Sequence, residues 1–569
     1  MNSADLQAML HAVLLSLVAG APLLMAAFCC TPLEKTVARF LPWAAVPALL
    51  ATVTVPVDVV VNVGWFFMGG RMGLDETGRI FLCLSAFIWF LACFSSRSLL
   101  KTDRDRPRFL AFFLTAMAGN FGLILARGML GYYLFFAVMS FAAYGLVVHK
   151  ETDEAIKAGR VYLILVMIGE VALFTALVIL MHQTGSLAIE NIRGISYQPL
   201  TLALLFIGFG VKIGALPLHG WMMPAYQAAP IPAAAVLAGA MVNAGVLGWL
   251  RFLPLGWSSC PQGAMLFIAA GALAGVYGVI IGLNRKQAGA VLGCSSISQM
   301  GLITVIFGLG LLDPEAGLHA APVLILYVVH HSLAKSSLFF GYDIVEHQNQ
   351  TVSRLQMAAI LLPALALAGL PFTGGAIAKI AFKNLTVTLG EPWTGLSTFF
   401  LPITAMGTTL LMLHFMCVLS KHIGSAERQD RADSRIIFTV SFIAGAITLW
   451  LWPAARSFAI HSLAGTKFWQ ALWPVAGGCL LFLAWRRISS GEKVPAENHG
   501  KQTGFDGVLL TVMRLLQEKE WQRPQQGRLT PYLHRLVPQL RRSEKIMGRW
   551  KVVGLSYLAL CLCLLFLLL

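Results

Sequence analysis

Two lysines, Lys212 in LLFIGFGVKIGALPLHGW and Lys379 in LAGLPFTGGAIAKIAFK, sit inside stretches apolar enough to cross a bilayer. An ammonium at the centre of a spanning helix costs roughly 2.5–3.5 kcal/mol on insertion scales, so a chain that keeps two of them points to their use. Desolvation disfavours the charged form of a lysine and a nearby carboxylate favours it, which makes a lysine with a movable partner a proton switch. Glu170, in YLILVMIGEVALFTALVIL, is the carboxylate inside the sixth span and the expected partner of Lys212. Between the two lysines in sequence runs LYVVHHSLAKSSLFFGYDIV. His331 and Lys335 there are spaced i, i+4 and share a helix face, with His330 beside them. Histidine relays protons near neutral pH. Ser295, Ser296, Ser298 and Gln299 on the preceding span extend a wetted line between the lysines, and Asn243 and Lys383 are further relay candidates. A lysine near a helix end can instead snorkel its amine to the interface, and that reading stays open for both lysines.

The elements that must hold these groups follow from composition. Of 569 residues, 57% are hydrophobic and 12% charged, and the mean hydropathy is +0.74, far from a soluble globular chain. The expectation is an all-α polytopic membrane protein with about 16 spans of some 20 residues each. They fall near 7–31, 41–63, 76–97, 108–127, 129–148, 161–182, 200–217, 229–252, 264–283, 288–311, 318–341, 355–387, 396–420, 436–454, 467–486 and 552–569. The first has no basic residue ahead of it, which favours a retained span over a cleaved leader. The net charge of +16 reads as a positive-inside pattern and not as a nucleic-acid footprint. Arg97–Arg108, Lys150–Arg160, Arg285/Lys286, Lys421–Arg435 and the 486–551 tail fall on one side, which places both termini on the non-cytoplasmic face of a cell inner membrane. Ten cysteines without CxxC or ligand spacing argue against disulfide frameworks, iron–sulfur clusters and structural zinc.

Gly and Pro interrupt two spans. The stretch after Lys212 holds Gly214, Pro217, Pro224, Pro230 and Pro232, and the one before Lys379 holds Gly369, Pro371, Gly374 and Gly375. Paired interrupted spans in two halves point to an ion path lined by freed backbone groups. The organisation expected is an N-terminal helical region at 1–107, five-helix repeats at 108–263 and 264–420, extra helices at 421–486, a cytoplasmic linker at 487–551 with a short amphipathic helix at 505–521, and a terminal span at 552–569. Asp75 and Glu76 read as solvated at a span entrance. His182, His219 and His414 read as packing or interfacial residues, and Trp65, Trp249 and Trp257 as an aromatic belt.

The run GFGVKIGALPLHGWMMPAYQAAPIPAAAVLAGAMVNAGVLGWLRF resembles the central signature of the antiporter-like subunits of respiratory complex I, membrane-bound hydrogenases and multisubunit cation/proton antiporters. LNRKQAGAVLGCSSISQMGL, HHSLAKSSLFF and LPFTGGAIAK resemble its later signatures in the same order, so the likeness covers roughly residues 75 to 420. Span count and tail suggest the larger, subunit 5-like type. The resemblance implies two inverted five-helix repeats, each with a broken helix. It also implies proton movement along Lys212, the His331/Lys335 relay and Lys379, with Gly169 and Glu170 as the glycine–acid step of the sixth span. Two positions depart from it. Ala137 stands where many members carry a glutamate paired with the first lysine, and Asn243 stands where many carry another lysine; Glu170 is then the substitute acid.

The function expected on these grounds is a proton-translocating subunit of a complex I-related oxidoreductase or hydrogenase assembly. The chain shows no cofactor motif and no redox centre of its own, so a soluble partner module and other membrane subunits would supply the driving chemistry. Moving one charge against 100 mV takes about 2.3 kcal/mol, which this subunit does not generate. The rival readings are a subunit of a multisubunit Na⁺/H⁺ antiporter, the membrane partner of an inorganic-carbon accumulating complex, and a non-conducting scaffold.

Overall fold

The computed structural model describes residues 3–57, 59–63, 70–99, 103–347, 353–421 and 432–491. Those up to Leu483 belong to one compact unit; of a second unit, Ala484–Leu560, the described part is 484–491. The expected amphipathic helix at 505–521, most of the 487–551 linker and the span at 552–569 lie outside the described residues, as does Trp65.

Helix α1 (Ser3–Phe28) leads into α2 (Glu34–Phe40) and α3 (Val46–Thr54), which a 3₁₀ turn joins into one apolar rod. A two-stranded hairpin, β1 (Val60–Val63) against β2 (Gly70–Gly73), precedes α4 (Glu76–Leu99), α5 (Arg106–Leu125), α6 (Met129–Val147) and α7 (Asp153–Thr184). The first interrupted span comprises α8 (Pro199–Ile213) and α9 (Met222–Ala228). It is followed by α10 (Ile231–Val236), a π-helical turn at Leu237–Met241 and α11 (Val242–Phe252). Then come α12 (Pro261–Leu283), α13 (Ala288–Gly310) and the 34-residue α14 (Pro314–His347). The second interrupted span is α15 (Arg354–Ala368) plus α16 (Gly374–Leu389), so the crossing expected at 355–387 is two half-helices. Last are α17 (Trp393–Lys421), α18 (Ala432–Leu451), α19 (Arg456–Ser462) and α20 (Gly465–Gly491).

Thirteen helices among the described residues are long and apolar enough to cross a membrane, with α8 and α15 as shorter apolar pieces. Helices suit that solvent because each pairs its own backbone groups. Their outer faces show what lipid takes: Met167, Val171, Phe174 and Val178 of α7 are exposed large apolar side chains one turn apart. Residues 231–249, from α10 into α11, and all of α13 are buried, and they form the centre against which the polar groups are held. Sequence-encoded stops set the ends. Thr152 caps α7 by accepting from Ala155 N–H, and Ser353 with Gln356 closes a capping box on α15.

Two of the simpler expectations are corrected. Trp249 is fully buried, donates to the Leu205 carbonyl at 3.2 Å and packs edge-on to Phe267 and Phe307, so it belongs to the core and not to an interfacial belt. Asp75 is not simply solvated. It accepts from Arg251 at 3.2 Å and pairs with Arg127 at 3.2 Å, while Arg251, 7% exposed, also donates to the carbonyls of Leu123, Ile124 and Ala126 at the end of α5. Burial works against the Asp75 carboxylate, but Arg251, the Gly78 N–H and Arg127 outweigh it and hold the group below its ordinary value.

Candidate functional site: a buried polar line between two broken helices

Both breaks rest on a left-handed glycine. Gly214 (φ +74°) ends α8 and Gly369 (φ +94°) ends α15, each turning its N–H back onto the last turn of the helix. Such an end leaves carbonyls to be satisfied inside the protein. At the first break the Val211 carbonyl accepts from the Trp221 indole at 2.6 Å and the Gly210 carbonyl from Ala215 N–H at 2.9 Å. At the second, Lys379 reaches back from α16 to donate to the Ala368 carbonyl, and the Trp450 indole donates to Phe372 at 3.2 Å. The glycines at the start of α16 make this approach possible: a Cβ on Gly375 would lie 1.8 Å from the Ala366 carbonyl oxygen, and one on Gly374 would lie 3.1 Å from His330 Nδ1.

Lys212 is in the last turn of α8 and 2% exposed. Its amine donates to Tyr162 Oη at 3.3 Å and Ser140 Oγ at 3.4 Å, and faces the rings of Phe136 and Tyr162 at about 6 Å. Tyr162 in turn donates to the Ser140 carbonyl at 2.9 Å. Glu170 lies two turns after Tyr162 on α7 and therefore on the same side of the helix. It is buried, within electrostatic reach of Lys212 and close to Ser140, yet neither carboxyl oxygen closes a hydrogen bond. The structure thus brings Glu170 and Lys212 into one cluster without a direct ion pair, with the Ser140 hydroxyl between their elements. Gly169 lets the helices close here, because its Cβ position lies 3.1 Å from Val211 and 3.3 Å from the Gly208 carbonyl.

The middle of the line is on α14. His331 and Lys335 are both fully buried; Lys335 donates to the Leu292 carbonyl of α13 at 2.8 Å, and neither His331 ring nitrogen has a hydrogen-bond partner. Asn243, just past the π turn, donates to Ser332 Oγ at 2.8 Å and to the Gly239 carbonyl at 2.7 Å, which ties the position to α14. Gln299 accepts from Tyr327 at 3.2 Å and donates to Thr408 at 3.1 Å, joining α13, α14 and α17. His330 stands edge-on to Tyr327 and within electrostatic reach of Lys379. The hydroxyls of Ser295 and Ser296 are buried without a hydrogen-bond partner, and Ser298 donates to the Gly275 carbonyl at 2.7 Å. Unpaired buried polar groups are costly in a low-dielectric interior, so each of these positions favours a water or a proton as its partner.

Lys383 is not brought to this line. Its amine donates to Gln470 on α20 at 3.4 Å from an exposed position. His219 is buried with Nε2 3.2 Å from Tyr277 Oη, and His414 lies 2.8 Å from the Arg285 carbonyl, in keeping with packing roles. Sequence reasoning passed over Ser140, Tyr162, Ser332 and Tyr327, ordinary residues whose part depends on which helix faces which. It also passed over Asp343, whose carboxyl group inside LFFGYDIV was a usable signal.

Residues 126–406 match the family described as NADH:quinone oxidoreductase/Mrp antiporter, TM. Hydrogenase-4 component B of Escherichia coli (strain K12) is 27% identical over 300 residues, 48% of this chain and 43% of that protein. The antiporter subunit mnhA2 of Staphylococcus epidermidis is 28% identical over 348 residues, 56% of this chain and 43% of that protein. The chain therefore spans under half the length of these curated relatives. A chain of the Mrp complex from Dietzia sp. DQ12-45-1b shares the fold with a TM-score of 0.75 at 20% identity, covering 95% of this chain and 63% of the other.

Proposed function

Because this chain belongs to the NADH:quinone oxidoreductase/Mrp antiporter transmembrane family, we propose that it is the proton-translocating membrane subunit of a multisubunit complex related to complex I and the membrane-bound hydrogenases. Protons move among Glu170, Lys212, Asn243, His331, Lys335, His330 and Lys379, with Ser296 and Gln299 along the way. The supporting observation is the burial of Lys212 at the first helix break and of Lys335 on α14, with Lys379 partly buried at the second break. A buried amine can take up or release a proton when the field around it changes. Glu170 is the acid of the first half, in place of one at Ala137. The two inverted repeats, 108–263 and 264–420, give each half its own break. The basic ends of the helices face the cytoplasm, and the driving energy comes from other membrane subunits and a soluble module.

Similarity to mnhA2 over 348 residues favours a second reading, cation/proton antiport through the same line. Purifying the tagged chain with its partners, reconstituting the complex and imposing a potassium–valinomycin potential separates the readings with a pH dye. Proton flux that Lys212→Ala and Lys379→Ala slow, without a sodium requirement, fits the first reading. Flux that needs sodium or potassium on the opposite side fits the second. Full flux in both lysine variants would leave the chain a scaffold.

A further inference from the structure

Asp343 is a carboxylate, 1% exposed, that the path above does not use. It stands near the end of α14, and Ser434 of α18 donates to its Oδ2 at 2.6 Å. Three features set it apart from a packing residue. First, it sits within the last turns of its helix, where the macrodipole disfavours an anion. Second, Glu346 follows at i+3, only partly buried, which puts a second carboxyl group on the same side of α14 one turn nearer its end. The two carboxyl groups thus grade from the helix end inward. Third, Ser332, Ser336 and Asp343 at i, i+4 and i+11 share one side of α14, and Ser332 is the partner of Asn243. Ser336 donates to the Ser332 carbonyl at 2.9 Å, so the side of the helix leading inward from Asp343 carries hydroxyls up to the level of Lys335 and the unpaired His331.

This end of α14 lies among basic residues, since Ser434, which donates to Asp343, is followed by Arg435 in the first turns of α18; on the orientation proposed above it faces the cytoplasm. Lys335 is eight residues from Asp343, about 12 Å along the helix, too far for one hop and within reach of a short hydroxyl and water chain.

We propose that Asp343 is the proton-loading carboxyl group through which the basic face of the membrane exchanges protons with Lys335 and His331, with Ser434 positioning it and Glu346 as the outer collector. In the loading step the Asp343 carboxyl releases a proton that ends on the Lys335 amine, leaving a carboxylate and an ammonium. A proton from the basic-face solution, passed by Glu346, then reprotonates Asp343. This inference rests on the proton-translocation reading.

The test is potential-driven proton flux of the reconstituted complex, normalised to the amount of chain assembled. Asp343→Asn keeps the size and an acceptor for Ser434 but cannot carry the proton, and flux should fall about tenfold or more. Asp343→Glu should keep flux within about twofold of the unaltered complex, Ser434→Ala should slow it only a few-fold, and azide, a small permeant weak acid, should restore flux in Asp343→Asn. Lys335→Ala is the control for the underlying reading. If Lys335→Ala is slow while Asp343→Asn runs at full rate, the loading role is overturned and the path stands. If both run at full rate, the path itself falls. A slow Asp343→Asn that azide does not rescue, or an Asp343→Glu equally slow, assigns Asp343 to packing and also overturns the proposal.

Discussion

The two lysines at the helix breaks reach similar electrostatic positions from opposite sides of the interruption. Lys212 precedes its break and lies in the last turn of α8; Lys379 follows its break, yet its amine reaches back to the Ala368 carbonyl in the last turn of α15. Each amine is therefore at the negative end of a half-helix, where a cation is favoured by roughly 0.3–1 kcal/mol or more when partly buried. What surrounds them differs. At the first break Trp221 takes the Val211 carbonyl, which leaves the Lys212 amine to two hydroxyls with Glu170 nearby. At the second the amine itself serves the freed carbonyl, and the neighbour is His330. The first lysine answers to a carboxylate, whereas the second is held by backbone beside a histidine and keeps part of its surface exposed. The position of an amine relative to a helix end is thus kept while its chemical partner changes.

Removing either amine has the largest expected effect. Lys212→Ala and Lys379→Ala should each slow potential-driven proton flux by roughly 10²-fold, the lower range for a positioned acid–base group. A loss confined to one variant would mean that the two breaks do not work in series. The partner difference can then be sharpened. Glu170→Gln should cost about tenfold, and adding Ala137→Glu should recover much of it, since Ala137 stands one turn before Ser140 on α6. An Ala137→Glu double variant as slow as Glu170→Gln would show that the acid cannot be moved between helices.

The breaks should also differ in tolerance to a methyl group. In Gly375→Ala the new carbon meets a backbone oxygen that cannot yield, so thermal unfolding in detergent should show a loss of roughly 1–3 kcal/mol or more. In Gly214→Ala it meets the Met222 side chain, which can swing aside, leaving chiefly the left-handed backbone cost of roughly 1–2 kcal/mol. Equal melting shifts would contradict that ranking.

The smallest effect concerns the ion pairs around Asp75, which tie the first half alone to α4. Folding holds this carboxyl below its ordinary value of 3.8, so its stabilising share is complete above that value and is lost as pH falls through the lower folded one. Asp75→Asn should lower the melting temperature at neutral pH and flatten the decline of melting temperature below about pH 4. A decline as steep as that of the unaltered chain would assign the acid sensitivity to other groups.

Much of this arrangement was legible in the sequence for a simple reason: charges in apolar runs and glycine–proline interruptions are local signals that survive without coordinates. Lys212, Lys379, the His331/Lys335 spacing and both breaks belong to that class. The Glu170 cluster was only half legible, because a single acid in a span marks itself while the hydroxyl of Ser140 on another helix does not. Trp249 and Asp75 were misread since their partners, Leu205 and Arg251, are distant in sequence and a residue near a span end looks the same whether lipid, water or protein covers it. The π turn at 237–241 left no trace in hydrophobic periodicity because every residue there is buried.

That turn gives the chain one residue of slack. A helix with a π turn holds one residue more than the same path wound as α-helix, and removing it would rotate everything beyond by about 100°. Asn243 would then swing off Ser332, and Arg251, farther along the same helix, would leave Asp75. A single-residue deletion anywhere in 237–241 is therefore a rotation of the whole of α11 against its neighbours, and the reach from the polar line to the outer ion pairs is set by the count of residues in that one turn.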